Sequence, residues 1–156
     1  MKNAPTTKSN ESAPDKRNYT PGILPKKTNT VTSGVLAYLL ENQSPTGMEA
    51  VFKMSTTRLA AVIHYLGKKY AWSIERDDKA TGTNDGRISW ITVYWLPQLT
   101  ISTAFAQGAR VWIERVKTSR AKQRKTSGKC KRLANSLNAS RHRVNDPRQG
   151  SFWEEK

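Results

Sequence analysis

The sequence predicts a mainly helical α+β fold with a small β-hairpin, carried between two basic tails. Three observations predict it. Apolar residues recur at helical spacing from Val35 to about Lys69 and again from Leu99 to Val116, and a period of two replaces that spacing between Trp72 and Leu96. The net charge of +15 is also unevenly placed. Residues 1–30 hold six Lys/Arg against two Asp/Glu, residues 31–114 eight against seven, and residues 115–156 thirteen against three.

Residues 1–30 are rich in Pro, Ser, Thr, Asn and Lys, with almost no large apolar side chain before Ile23. Such a segment buries too little surface to offset its ordering entropy and is expected to be a disordered basic arm. Val35, Leu36, Leu39 and Leu40 then form the stripe of a short amphipathic helix, with Thr32 or Ser33 as N-cap. Asn42, Ser44 and Pro45 break it. Thr46-Gly47-Met48-Glu49 is a capping box: the Thr46 hydroxyl accepts from the amide three residues on, and Glu49 reaches back to the Thr46 amide. The short helix it opens is expected to turn Met48, Val51 and Phe52 inward. A third helix starts near Ser55–Thr57, carries Leu59, Val62, Ile63 and Leu66 on one face, and runs to about Lys69.

Trp72 and Ile74 alternate with polar neighbours, the polar stretch Asp77–Gly86 follows, and Asn84-Asp85-Gly86 supplies the positive-φ residues of a hairpin loop. Ile88–Leu96 is a β-branched and aromatic strand ended by Pro97. Three helices and a hairpin, in this order, are the elements of a winged helix-turn-helix. Ile91, Val93 and Trp95 occupy one face of that strand, and Ile88, Trp90 and Tyr94 the other. The aromatics Trp72, Trp90, Tyr94 and Trp95 read as core rather than as a base-stacking platform. A hairpin apolar on both faces needs a cover, and a helix with Ile101, Phe105, Ala109, Trp112 and Val116 at helical spacing is the candidate. The chain thus divides into a disordered arm (1–30), a winged helix-turn-helix domain (31–97), a C-terminal helix (98–124) and a basic flexible tail (125–156). Within that tail Leu133 and Leu137 hint at a short helix.

The run Thr46-Gly47-Met48-Glu49-Ala50, then Thr57-Arg58-Leu59-Ala60-Ala61-Val62-Ile63-His64-Tyr65-Leu66, then Trp72-Ser73-Ile74-Glu75 resembles a helix-turn-helix family of phage and prophage proteins. The resemblance covers residues 31–96, and Thr57–Leu66 is its most specific piece. It implies a small winged-helix DNA-binding module of bacterial or phage origin. The family usually places a glycine in the turn before the first wing strand. Here Tyr70-Ala71 stands at that point and Gly67 comes earlier.

Taking Leu59 as the direction of the core, Thr57, Ala61, His64 and Lys68 lie on the opposite side of the third helix, with Arg58 on one flank. Small Thr57 and Ala61 would let the helix axis approach base edges, and Arg58 has the fork that grips guanine or clamps a phosphate. Lys69, Arg76, Arg87, Arg120, Lys122, Arg124 and Lys125 are the candidate phosphate contacts. The loop Asp77–Gly86 suits phosphates poorly, since Asp77, Asp78 and Asp85 outnumber Lys79.

Other function classes fare badly. His64 and His142 have no Ser or Cys partner at a telling spacing, and Cys130 is a lone thiol among lysines. The acidic loop does not match a calcium-binding frame. No catalytic residue, metal or cofactor is expected. No apolar stretch approaches the ~20 residues of a membrane span, and the first 19 residues lack a signal peptide's apolar centre. The expectation is a non-enzymatic, cytoplasmic, nucleoid-associated protein whose partner is double-stranded DNA, acting as a transcriptional regulator or architectural factor. The alternative is an RNA-binding or assembly protein that uses the winged helix for protein docking. A homodimer through residues 98–124 is compatible with either. Phe152 and Trp153 stand apart as a candidate docking peptide.

Overall fold

The computed structural model describes residues 19–141. The parts of the expected arm and tail in residues 1–18 and 142–156, including His142, Phe152 and Trp153, lie outside the described residues. The order is α1 (Val31–Leu40), α2 (Gly47–Glu49) running into a π-turn (Ala50–Met54), α3 (Leu59–Tyr70), β1 (Glu75–Gly82), β2 (Ile88–Trp95), α4 (Gln98–Ala106), α5 (Ala109–Lys125) and α6 (Ser127–Arg141). The fold is therefore mainly helical, with one two-stranded antiparallel hairpin.

Helix α1 is the centre of the core. Val35, Leu36, Leu39 and Leu40 are wholly buried, and α3, α5 and the π-turn pack around it. Its cap is Thr30, not Thr32 or Ser33: the Thr30 Oγ1 accepts from the Ser33 amide at 3.1 Å. The helix thus begins four residues before its apolar stripe.

The capping box forms as expected, with the Glu49 amide donating to Thr46 Oγ1 at 3.2 Å and the Thr46 amide to Glu49 Oε2 at 3.1 Å. The facing of this helix differs from the expectation. Met48 and Phe52 are 68% and 78% exposed and Val51 is exposed too, while Ala50 and Met54 enter the core. The inward face is instead the one that carries Ala50 and Met54, four residues apart at the two ends of the π-turn. Ser55, in the left-handed region at φ 59°, closes it.

Helix α3 buries Leu59 and Leu66 and packs Val62 and Ile63 half-buried against α1. It ends at Ala71, whose φ of 56° is left-handed and whose amide donates to Gly67 O at 3.1 Å. Trp72 lies in the core before the hairpin, not within a strand. Strand β1 runs through the acidic stretch expected to be loop, because β2 pairs with all of it from Glu75↔Trp95 to Gly82↔Ile88. The connection is therefore a tight turn, with the Thr83 amide donating to Arg87 O at 2.8 Å and the Gly86 amide to Thr83 O at 3.0 Å. On its other edge β2 meets the segment before α2: Thr46 bridges Val93, and the Tyr94 amide donates to Pro45 O at 3.3 Å.

The hairpin is covered only near its base. Val93 is buried and Tyr94 packs on the core, whereas Ile88 and Trp90 are more than two-thirds exposed and Trp95 is partly so. The expected single helix over 98–124 is two. Gly108, at φ 90°, separates α4 from α5 in a conformation that a side chain rarely adopts. Ile101, Ala109, Ile113 and Val116 are buried, and α5 packs on α1 and α4.

Two further expectations are corrected. Residues 19–30 are not a free arm. The Ile23 amide donates to Tyr70 O at 2.8 Å, the Trp72 indole to Ile23 O at 3.0 Å and the Trp112 indole to Pro25 O at 2.9 Å. Leu24 packs on the core and Pro25 is buried. Within the expected flexible tail, residues 127–141 are the helix α6, which buries no side chain.

Candidate nucleic-acid interface

Helix α3 and the residues just before it present Thr57, Arg58, Ala61, His64 and Lys68, all exposed, opposite the face that buries Leu59 and Leu66. Arg58 sits at the N-cap position, its amide held by Thr56 Oγ1 at 3.1 Å, so its side chain leaves from the N-terminal end of the helix. No acidic residue lies in α3, and the unpaired amides of its first turn add positive potential at the same end. Small residues at Thr57, Ala60 and Ala61 leave the helix axis approachable.

Two grooves border this helix. One, of about 670 Å³, lies between the start of α3 and the hairpin and is lined by Met48, Thr57, Ala60, Thr81, Ser89 and Ile91 among others. The second runs along the opposite flank, between the C-terminal half of α3 and residues 23–32, and has a volume of about 490 Å³. Lys69 lies in it, donating from Nζ to the Tyr65 hydroxyl at 2.7 Å and standing over both the Tyr65 and Tyr70 rings. The Tyr65 hydroxyl, above all, raises the Lys69 pKa and keeps it charged.

The remaining candidate cations fall into three groups. Arg76 is exposed on β1, while Arg87 donates from Nε to Asp85 Oδ2 at 2.7 Å and is ion-paired with it. The hairpin from Glu75 to Arg87 holds four acids against three bases, so it carries no net attraction for phosphates. Lys122 and Lys125 are exposed at the end of α5. Arg124, also exposed, donates to Lys53 O at 2.9 Å.

Arg120 differs from all of these. It is half-buried and donates from Nη1 to Thr30 O at 3.0 Å and from Nη2 to Met54 O at 3.2 Å. Burial, and secondarily the charge of Arg124, lowers its pKa from the usual arginine value. Its guanidinium ties α5 to the start of α1 and the end of the π-turn, a structural contact that its basic neighbours in the sequence do not share. A basic run in sequence does not distinguish such a staple from its solvated neighbours.

Lys26 and Lys27 are the residues that sequence reasoning missed. They line the second groove beside Lys69 because the backbone on either side of them is fixed. The signal was Ile23-Leu24-Pro25, an apolar triplet directly before them.

Among the described residues no cluster of three or more His, Cys, Asp or Glu is placed to hold a metal, and no helix is long and apolar enough to cross a membrane. Set against known proteins, the chain matches no family model, no curated protein and no solved structure.

Proposed function

We propose that this chain is a non-enzymatic double-stranded DNA-binding protein, a winged helix-turn-helix module in which α3 enters the major groove. The phage or mobile-element setting, with a role in transcriptional regulation or DNA architecture inside the host cytoplasm, follows from the resemblance of residues 31–96. The observation that carries the reading is the outward face of α3. Its N-terminal end combines Arg58 with small Thr57 and Ala61, and its length carries His64 and Lys68 without an acid. N-terminal residues of a recognition helix are those that meet base edges. The bridge from Thr46 to β2 supports the same reading, since it ties the helix pair to the hairpin as one body. Exposed cations of α5 and α6 supply sequence-independent attraction to phosphates, and the helix supplies preference.

The test is selection from a randomised duplex library, followed by competition between the enriched duplex, a scrambled duplex and a structured RNA at matched salt. Enrichment of a shared motif, with the scrambled duplex and the RNA competing less well, is the predicted result. An RNA that displaces every duplex would favour the RNA-binding alternative.

A further inference from the structure

The groove beside the C-terminal half of α3 holds three lysines and the phenols of Tyr65 and Tyr70, and none of the residues lining it is acidic. Lys26 and Lys27 come to it from a segment with almost no regular secondary structure, yet their backbone is pinned on both sides. Ile23 exchanges hydrogen bonds with Tyr70 and Trp72, the Pro25 carbonyl accepts from Trp112, and the Lys27 carbonyl accepts from the Ser33 hydroxyl. Both lysine side chains remain exposed. Across the groove, Lys69 is oriented by the Tyr65 hydroxyl, which accepts one of its hydrogens and keeps its own proton for donation outward. Cations on a fixed backbone lose less freedom on meeting an anion than cations on a free chain.

We infer that this groove is a seat for the phosphodiester backbone of the duplex whose bases α3 contacts. Lys26, Lys27 and Lys69 supply the charge and Tyr65 a neutral donor. The inference rests on the reading of α3 as the recognition helix. It adds a strip of positive potential along the flank of α3 away from the acidic hairpin, so the duplex would lean toward residues 23–32 rather than toward the wing.

The experiment uses the full chain with a 20-base-pair duplex obtained by selection and its scrambled counterpart. The double variant Lys26→Gln/Lys27→Gln, which alters two exposed side chains and no backbone bond, should weaken binding to both duplexes by a similar factor, roughly tenfold or more at physiological salt. It should flatten the slope of log affinity against log salt by about 2, at ~0.9 per phosphate contact. Preference between the two duplexes and the melting temperature should stay as in the wild type. In lysine-acetylation footprinting the selected duplex should protect Lys26, Lys27 and Lys69, and inorganic phosphate at matched ionic strength should not. An unchanged salt slope in the double variant overturns the inference, and so does equal protection by inorganic phosphate, which would mark a free-anion pocket. Arg58→Ala separates this from the parent reading. If Arg58→Ala abolishes preference while Lys26→Gln/Lys27→Gln changes nothing, the groove fails and the helix stands. If Arg58→Ala leaves preference intact while the double variant flattens the slope, the helix fails and the groove stands.

Discussion

The guanidinium of Arg120 occupies the space that a side chain on Gly34 would take, since a Cβ there would lie 2.8 Å from its Cζ. Gly34 lies inside α1, where a glycine costs about 1 kcal/mol relative to alanine. The close approach explains its presence. Through the gap Arg120 reaches the Thr30 and Met54 carbonyls and joins three parts of the chain.

Gly34→Ala and Arg120→Ala should therefore be strongly non-additive. Arg120→Ala should lower the unfolding free energy by about 2–4 kcal/mol, because two carbonyls lose a charged donor. Gly34→Ala alone should destabilise by roughly 1–2 kcal/mol as the guanidinium is displaced. In the Arg120→Ala background the same change should stabilise by about 0.5–1 kcal/mol, its helix propensity then being unopposed. Urea titration of the four proteins checks the change of sign.

Ala71 ends α3 in the left-handed region, at φ 56°, a backbone conformation that favours glycine. Ala71→Gly should raise stability by about 1 kcal/mol through relief of that backbone cost. A calorimetric melting temperature at or below that of the wild type would contradict this.

The capping box makes a small, acid-sensitive contribution. The Thr46 amide, and more weakly Lys53, hold the Glu49 carboxyl below its ordinary value of 4.5 against an opposing desolvation. A depressed folded pKa gives stability that is present above about pH 4.5 and is lost as the pH falls through the depressed value. Glu49→Gln should remove that part of the acid dependence, and Thr46→Ala should cost about 1 kcal/mol at neutral pH. Denaturant midpoints of the three proteins at pH 7 and pH 3 give the comparison.

Helix α6 buries no side chain, and deleting residues 126–156 removes Lys129, Lys131, Arg132, Arg141, Arg143, Arg148 and Lys156. The melting temperature should stay close to that of the full chain. Affinity for all duplexes should fall together, and the salt slope should flatten by several units at ~0.9 per lost phosphate contact. Loss of preference at constant salt slope would mean that this helix reads bases.

What the sequence made legible was local. The capping box at Thr46 and Glu49, the inward stripes of α1 and α3 and the β-branched strand β2 each depend on spacings within one element. The rest depended on partners far along the chain. Residues 23–27 are seated largely by their own backbone groups and by the indoles of Trp72 and Trp112, which side-chain composition does not record. Asp77 and Asp78 are poor strand formers that β2 nevertheless pairs. Met48 and Phe52 look like core residues, yet the neighbouring face with Ala50 and Met54 is the one that packs inward. At the candidate interface, the exposure of Thr57, Ala61, His64 and Lys68 followed from helical spacing alone. The separation of Arg120 from the exposed cations did not, because it depends on α1.

The most direct measurement is the affinity of the wild type and Arg58→Ala for a selected duplex and its scrambled counterpart, with Leu66→Ala as a control for folding. Arg58→Ala should lose about 1–3 kcal/mol on the selected duplex, little on the scrambled one, and none of its melting temperature. Leu66→Ala should instead cost ~2–5 kcal/mol of stability through the cavity it leaves in the core. Equal binding of the selected duplex by the wild type and a folded Arg58→Ala would contradict the assignment of α3 as the reading helix.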